Sequence, residues 1–319
     1  MNREEIKATI ETYRHALNNN EKIEINAMMV DQNNQRKARY KGYMLKLSFI
    51  NIKPIVVKAL EFIEDELTKK PLGVYDLEIS IDDVIQMEER QKVVHGEEIL
   101  SELSVDYNNN NTIQETTDFS KIKFVVIQVF FQDKSIFLFQ KYIQPSTAFQ
   151  TTEKFIFSGS QLRPFDKKIL TLNCSVDAFL FDDTYYILNR NAFNSFFAYK
   201  DVFKRILVDN TEAIRNSGLL QNTDQFIKDC EADGRHLTRL TKAILAQGFQ
   251  KVAEKKKNIK KVVQDFNLSL AISDQDEIIY REKADVPDIL NLLLRHFVID
   301  ALTSDKMIAA AIQNYTIEK

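Results

Sequence analysis

Tryptophan is absent from this chain of 319 residues, cysteine occurs twice, proline five times and glycine seven times. Each shortage excludes something. Cys174 and Cys230 stand alone, with no CxxC pair and no Cys/His cluster, so neither a disulfide framework nor a zinc site is expected and a reducing cytoplasm fits best. So little glycine and proline argues against a loop-rich or low-complexity chain and for long regular elements. The scattered glycines form no dinucleotide fingerprint, P-loop or nucleophile elbow, the turns through which standard nucleotide and hydrolase sites bring backbone close to a ligand. The four histidines, His15, His95, His236 and His296, are far apart and lack metal-ligand spacing, which reads as surface or core-edge histidine. No apolar run approaches the ~18 residues of a membrane span. The longest, Phe124 to Phe131, is short and β-branched and reads as a buried strand. The opening Met1–Glu5 is polar, so no signal peptide is expected.

What is present is globular. The chain is 44% hydrophobic and 28% charged, with 22 phenylalanines as the main large core residue. Its net charge of −3 conceals an asymmetry. Between Asn51 and Ser120 there are 16 Asp/Glu against 6 Lys/Arg, a balance of −10; between Lys200 and Asp265 there are 14 Lys/Arg against 9 Asp/Glu, a balance of +5. An acidic front and a basic back either steer one face toward a polyanion or reflect two differently solvated surfaces.

Periodicity predicts an opening helix over Asn2–Leu17, strands over Ile23–Val30 and Arg39–Leu47 across the turn Asp31–Asn34, and a helix from Pro54 to about Thr68. A strand over Tyr75–Ile81 and a short helix over Glu97–Leu103 follow. Four asparagines, Asn108–Asn111, open a polar stretch to Ser120 that reads as a linker or exposed loop. Beyond it Ile122–Phe131 and Ile136–Tyr142 form a hairpin, and Phe155–Phe157, Ile169–Leu172, Ala178–Phe181 and Tyr185–Leu188 continue the β character. From Asn191 the period becomes helical: Asn191–Phe197, Val202–Ile214, Asp224–Cys230, Leu237–Ala246, Phe249–Phe266, Pro287–Leu302 and Met307–Asn314, with a hairpin of Leu268–Ile272 and Glu277–Tyr280. The expected fold class is α+β: a mixed N-terminal part over residues 1–111, acidic toward its end, then a core over 112–319 with a mostly antiparallel sheet at about 121–190 and a helical, basic part at about 191–319.

Three features invite chemistry. Asp182-Asp183 is a carboxylate pair between two apolar strands, where Asp is favoured as a turn residue before any metal is invoked. Tyr185, Tyr186, Phe193, Phe196, Phe197 and Tyr199 surround Asn189-Arg190-Asn191 and read as core before base-stacking surface. The third is the basic run Lys251, Lys255, Lys256, Lys257, Lys260 and Lys261. On a continuous helix, Phe249, Val252, Ile259, Val263 and Phe266 share one side and Lys257, Lys260 and Lys261 point outward. Arg235, Arg239 and Lys242 add a basic edge on the preceding helix. These cations either line a solvated face or contact phosphate without reading sequence. No catalytic residue, metal site or cofactor is assigned.

The middle and end of the chain resemble the KwaB-like proteins of the bacterial Kiwa anti-phage system. The residues that carry the resemblance are the strand-turn-strand Val176–Asn189 (VDAFLFDDTYYILN), Phe193–Tyr199 (FNSFFAY), Phe155–Asp166 and the ending Asp288–Lys306, within a span of about Lys121 to Lys319. The resemblance implies a cytoplasmic, homodimeric protein that binds double-stranded DNA, acts with a membrane-embedded KwaA-like partner and obstructs replication or transcription of phage DNA without chemistry of its own. Its competitors are a metal-dependent nuclease whose carboxylates converge only in three dimensions, and a structural or regulatory subunit.

Overall fold

The computed structural model describes residues 2–32, 39–77, 84–103, 112–113, 118–143, 155–158, 161–164, 172–300 and 302–309, with backbone alone for 155–158 and 161–164. The chain forms two compact units: Met1–Tyr75 with Ile81–Phe197, and Asp76–Ser80 with Ala198–Lys319. It is α+β, as expected.

The first unit is built on an eight-stranded sheet. In chain order its elements are α1 (Arg3–Asn18), β1 (Glu24–Gln32), β2 (Tyr40–Met44), α2 (Phe49–Lys69), β3 (Leu72–Val74), β4 (Ile85–Glu89), α3 (Gly96–Leu103), β5 (Ile122–Phe131), β6 (Lys134–Lys141), β7 (Phe155–Ser158), β8 (Gln161–Pro164), β9 (Ala178–Phe181), β10 (Thr184–Ile187) and α4 (Arg190–Phe196). The strand order is β2-β1-β5-β6-β9-β10-β4-β3, antiparallel throughout except for β3 beside β4. β7 and β8 make a separate hairpin. Strands from both sides of the asparagine-rich stretch share this sheet, because β1 pairs with β5 from Glu24↔Phe130 to Asp31↔Ile122.

Alternation sorts the side chains of this sheet between two layers. Ala27, Met29, Val125, Ile127, Val129, Ile136, Leu138, Phe179, Phe181 and Tyr186 face the core that α1 and α2 close with Ile6, Ile10, Tyr13, Val56, Leu60 and Ile63. The opposite face carries Phe124, Phe139 and Tyr185, which meet the α4 aromatics: Phe124 lies 4.7 Å from Phe196, and Tyr185 5.1 Å from Phe197. The aromatic knot is therefore core, as its spacing indicated. Tyr199, also buried, packs on Phe203.

Local chemistry sets the ends. Asn2 and Glu5 form a reciprocal capping box on α1. The hairpins β5–β6 and β9–β10 turn on Gln132-Asp133 and Asp182-Asp183, all four at positive φ, the two-residue geometry that matches strand twist. The Asp182-Asp183 pair is thus a tight turn. The asparagine stretch Asn108–Asn111 lies outside the described residues, as do Asn33-Asn34 of the first expected turn and Ile169 to Thr171 of an expected strand.

Other expectations need correction. The helix with Pro54 starts five residues earlier, at Phe49, so Pro54 sits in its second turn. The carbonyl that loses its amide partner there belongs to Ile50, which is 81% exposed, so the loss falls at the solvent side of the helix. The strand expected over Tyr75–Ile81 is instead β3, just before it; residues 78–83 lie outside the described set. β4 was not anticipated, since Ile85-Gln-Met-Glu-Glu89 is mostly polar.

The second unit comprises α5 (Tyr199–Asn216), β11 (Leu220–Gln221), α6 (Thr223–Ala232), α7 (Gly234–Leu245), α8 (Gly248–Ala253), α9 (Ile259–Asp265), β12 (Ala271–Ile272), β13 (Ile278–Ile279), α10 (Val286–Leu293), β14 (Phe297–Ile299) and β15 (Lys306–Ile308). Leu207, Phe226, Cys230, Leu237, Leu240, Phe249, Ile289 and Leu290 are buried in it. The expected hairpin is present as β12–β13, with β11 added parallel to β13. The helix expected over Phe249–Phe266 is broken. α8 ends at Ala253, a 3₁₀ turn spans Lys256–Asn258, and α9 begins at Ile259. Lys255, Lys256 and Lys257 are adjacent like charges with no apolar residue among them to dock, so a helical turn there gains nothing from packing. The helix expected over Pro287–Leu302 stops at Leu293, with Arg295 at positive φ, and a β hairpin follows in place of its end and of the start of the helix expected at Met307. Asp300 builds that hairpin's turn by accepting from the amides of Leu302 and Thr303, both at 2.8 Å.

Candidate nucleic-acid interface

The expected basic residues all lie in the second unit, on α7 and on the broken segment after it. Asp233 caps α7, accepting from the amides of Arg235 at 2.7 Å and His236 at 3.2 Å. Leu237, Leu240, Thr241 and Ala243 dock the helix, and Arg235, Arg239 and Lys242 run along another side at spacings of four and three. Arg235 is exposed. Arg239 is half-buried and donates through Nη2 to the Asn291 side-chain oxygen at 2.6 Å. Burial pushes the Arg239 guanidinium below its ordinary value.

The break divides the lysines by role. Lys251 Nζ donates to the Ala246 carbonyl at 2.7 Å and so closes the C-terminal end of α7. Lys260 pairs with Asp276 at 2.9 Å. Lys255, Lys256, Lys257 and Lys261, with Arg235, make no ion pair among the described residues. Phe249 and Ile259 are buried, so the segment is docked at both ends, with Lys255, Lys256 and Lys257 between them and Lys261 just beyond on α9. The single outward row expected of Lys257, Lys260 and Lys261 is not formed, because Lys257 belongs to the 3₁₀ turn and Lys260 is turned to a carboxylate.

Sequence reasoning missed two arrangements. One is a depression of about 630 Å³ lined by Arg215, Thr223, Gln225, Lys228, Tyr280 and Arg281, among others. Its arginines come from positions far apart in the chain and are already engaged: Arg215 by Asp224 at 2.8 Å and Glu212 at 2.5 Å, Arg281 by Asp285 at 3.0 Å. Asp285 is buried. Burial pushes its carboxyl up, but hydrogen bonds from the Arg281 side chain and backbone outweigh this and hold it below the usual range. The second is the set around His296. Its amide donates to the Asn291 carbonyl at 2.8 Å, and its imidazole is pushed down by burial and then by the nearby charges of Arg239 and Lys242. Arg239 and Asn291 are 52 residues apart, which no spacing rule reveals.

Metal chemistry has no obvious seat here: among the described residues no group of three or more His, Cys, Asp or Glu side chains is placed to hold an ion. Nor is any described helix long and apolar enough to cross a membrane. A family model described as Kiwa protein KwaB-like matches residues 119–303, more than half of the chain. The chain belongs to the KwaB-like family. Membership gives it a role in Kiwa anti-phage defence and implies association with Kiwa partners such as KwaA. The match runs from just before β5 through β14, so α7, the lysine segment and the His296 set all lie inside the KwaB-like region, whereas α1 to α3 lie outside it. No curated protein and no solved structure matches the chain.

Proposed function

We propose that this KwaB-like protein is a non-enzymatic effector that binds double-stranded DNA without reading its sequence. It works as a homodimer with a membrane-embedded KwaA-like partner and blocks replication or transcription of phage DNA. The observation that carries the reading is the set of exposed cations that make no ion pair among the described residues, Arg235, Lys255, Lys257 and Lys261, on docked elements inside the family region. Lysines held this way act as point charges toward phosphate, and counterion release supplies affinity that is steep in salt and indifferent to sequence. Arg239 and Lys242 extend the same surface along α7.

The test is binding of unrelated fluorescent duplexes of about 30 base pairs at low salt, with and without magnesium. Equal affinity for all duplexes, with intact DNA recovered in both conditions, supports the reading. Magnesium-dependent loss of DNA replaces it with a nuclease. Absence of binding removes DNA as a ligand of the isolated chain and leaves a structural or regulatory subunit.

A further inference from the structure

The β12–β13 hairpin turns on Ser273–Asp276, and that turn closes without the Asp276 carboxylate. The Ser273 amide donates to the Glu277 carbonyl at 2.8 Å, and the Asp276 amide to the Ser273 carbonyl at 3.1 Å. The Ser273 hydroxyl oxygen accepts from the amides of Gln275 at 3.2 Å and Glu277 at 3.1 Å. Asp276 itself stands at φ 62°, a conformation that Asn or Gly adopts at least as readily. Asp300 is the opposite case, since its carboxylate builds its own turn by accepting from the amides of Leu302 and Thr303. The Asp276 carboxylate reaches outside its turn instead. Its ion-pair partner among the described residues is Lys260 on α9, with Nζ to Oδ1 at 2.9 Å.

Other contacts dock α9. Ile259 is buried at its start, Phe266 just past its end lies 4.9 Å from Phe297, and Lys306 reaches Asp265 at 3.3 Å. With side chains 48% and 25% exposed, the Lys260–Asp276 pair contributes little to folding. Its effect on the surface is larger. Lys260 lies one residue from Lys261 and three from Lys257, both exposed and without an ion pair among the described residues. Among those residues it is the one exposed lysine from Lys255 to Lys261 that a carboxylate answers. A lysine and a carboxylate in contact present almost no net charge to a phosphate several ångströms away.

We propose that Asp276 limits the affinity of this surface for DNA by holding Lys260 back from the phosphates. The inference rests on the DNA-binding reading and adds to it a residue that sets how many phosphates the lysine segment meets. A phosphate that takes Lys260 must displace Asp276, and the displaced carboxylate then repels the DNA backbone beside it. With the carboxylate gone, the Lys260 ammonium is free to meet one phosphate more. Each added contact releases counterions, so the change appears as a steeper salt dependence as well as tighter binding. A carboxylate acting only through its field would also weaken binding, but its effect would not depend on Lys260.

The experiment is a salt series of duplex affinity for the full chain, for Asp276→Asn, for Asp276→Asn with Lys260→Gln, and for Asp274→Asn. Asn suits the positive φ of position 276, so the fold is retained and the melting temperature stays close to the parent's. Asp274, exposed in the same turn and without an ion pair among the described residues, controls for the loss of one negative charge. The expected slope of log affinity against log salt is steeper by about 0.9 in Asp276→Asn, with affinity roughly three- to tenfold tighter at about 0.1 M salt. Adding Lys260→Gln returns both to the parent's values, and Asp274→Asn keeps the parent's slope. Parent-like slope and affinity in Asp276→Asn overturn this role of Asp276 while leaving DNA binding intact. A gain that survives Lys260→Gln, or an equal gain in Asp274→Asn, does the same. No binding by any of these chains at low salt overturns both readings.

Discussion

Glu98 holds the backbone of Arg39: its Oε1 accepts from the Arg39 amide at 2.9 Å and from the Tyr40 amide at 3.3 Å. One turn along α3, Glu102 accepts from the Gly42 amide at 2.8 Å. β2 is the edge strand of the large sheet among the described residues, and the Tyr40 and Gly42 amides point to α3 rather than to β1. Two carboxylates spaced four apart on a helix thus close an edge that otherwise invites pairing with another chain. His95 ties the arrangement together, with Nδ1 3.0 Å from Glu98 and Nε2 2.9 Å from the Arg39 guanidinium.

Replacing both Glu98 and Glu102 with Ala is expected to cost about 1–2 kcal/mol for each lost charge-assisted acceptor. Urea unfolding measures the loss, and hydrogen exchange at Tyr40 and Gly42 locates it. Unchanged protection at those two amides would show that α3 does not cover the edge.

Gly248 opens α8 against α10, and a Cβ there would stand 2.4 Å from the Leu293 carbonyl oxygen and 3.1 Å from that of Ala243. Both obstacles are backbone and yield poorly. Gly248→Ala gains up to about 1 kcal/mol of helix propensity, but overpacking costs about 1–3 kcal/mol, so a net loss of about 1–2 kcal/mol is expected in a thermal or urea melt.

The Asp182-Asp183 turn has both residues at positive φ, and Asp183 pairs with Arg90 at 3.3 Å through a side chain that is 80% exposed. An ion pair that exposed contributes little. Asp182→Asn with Asp183→Gly supplies the residues this turn geometry prefers and is expected to leave stability unchanged or raise it by up to about 1 kcal/mol. A loss larger than about 1 kcal/mol would mean that the carboxylates do more than turn the chain.

The two thiols are expected to differ in reactivity. Burial pushes the Cys230 thiol up to about 12, and its sulfur is withdrawn from solvent, whereas Cys174 is half-exposed. Titration with a chromogenic disulfide near pH 8 is expected to label one thiol in the native protein and two after unfolding. Rapid labelling of both in the native state would contradict the burial of Cys230.

Much of the fold was legible because period and punctuation agreed. Ile122–Phe131 alternates across a sheet covered on both faces, and α7 carries a clear apolar stripe after an Asp cap. Legibility failed where an element's reason lies elsewhere in the chain. β4 is polar in sequence and exists because β10 and β3 flank it. The run Phe249–Phe266 has the right apolar spacing for one helix, yet its lysine-rich middle has nothing to dock, and the helix breaks there. For the candidate interface, sequence located the basic residues but not their commitments. That Lys260 answers Asp276, that Lys251 closes α7 and that Arg239 leans on Asn291 depends on contacts between segments 5 to 52 residues apart.

The central claim is that the uncommitted lysines, rather than basic charge in general, hold DNA. The most direct measurement is the salt dependence of duplex affinity for the parent chain, for Lys257→Glu with Lys261→Glu, and for Lys260→Gln. Each phosphate contact contributes about 0.9 to the slope of log affinity against log salt. The account predicts a slope shallower by about 1 to 2, and affinity at least tenfold weaker, in the Lys257/Lys261 variant, with Lys260→Gln close to the parent. Parent-like slope and affinity in the Lys257/Lys261 variant, with its fold intact, would contradict the account.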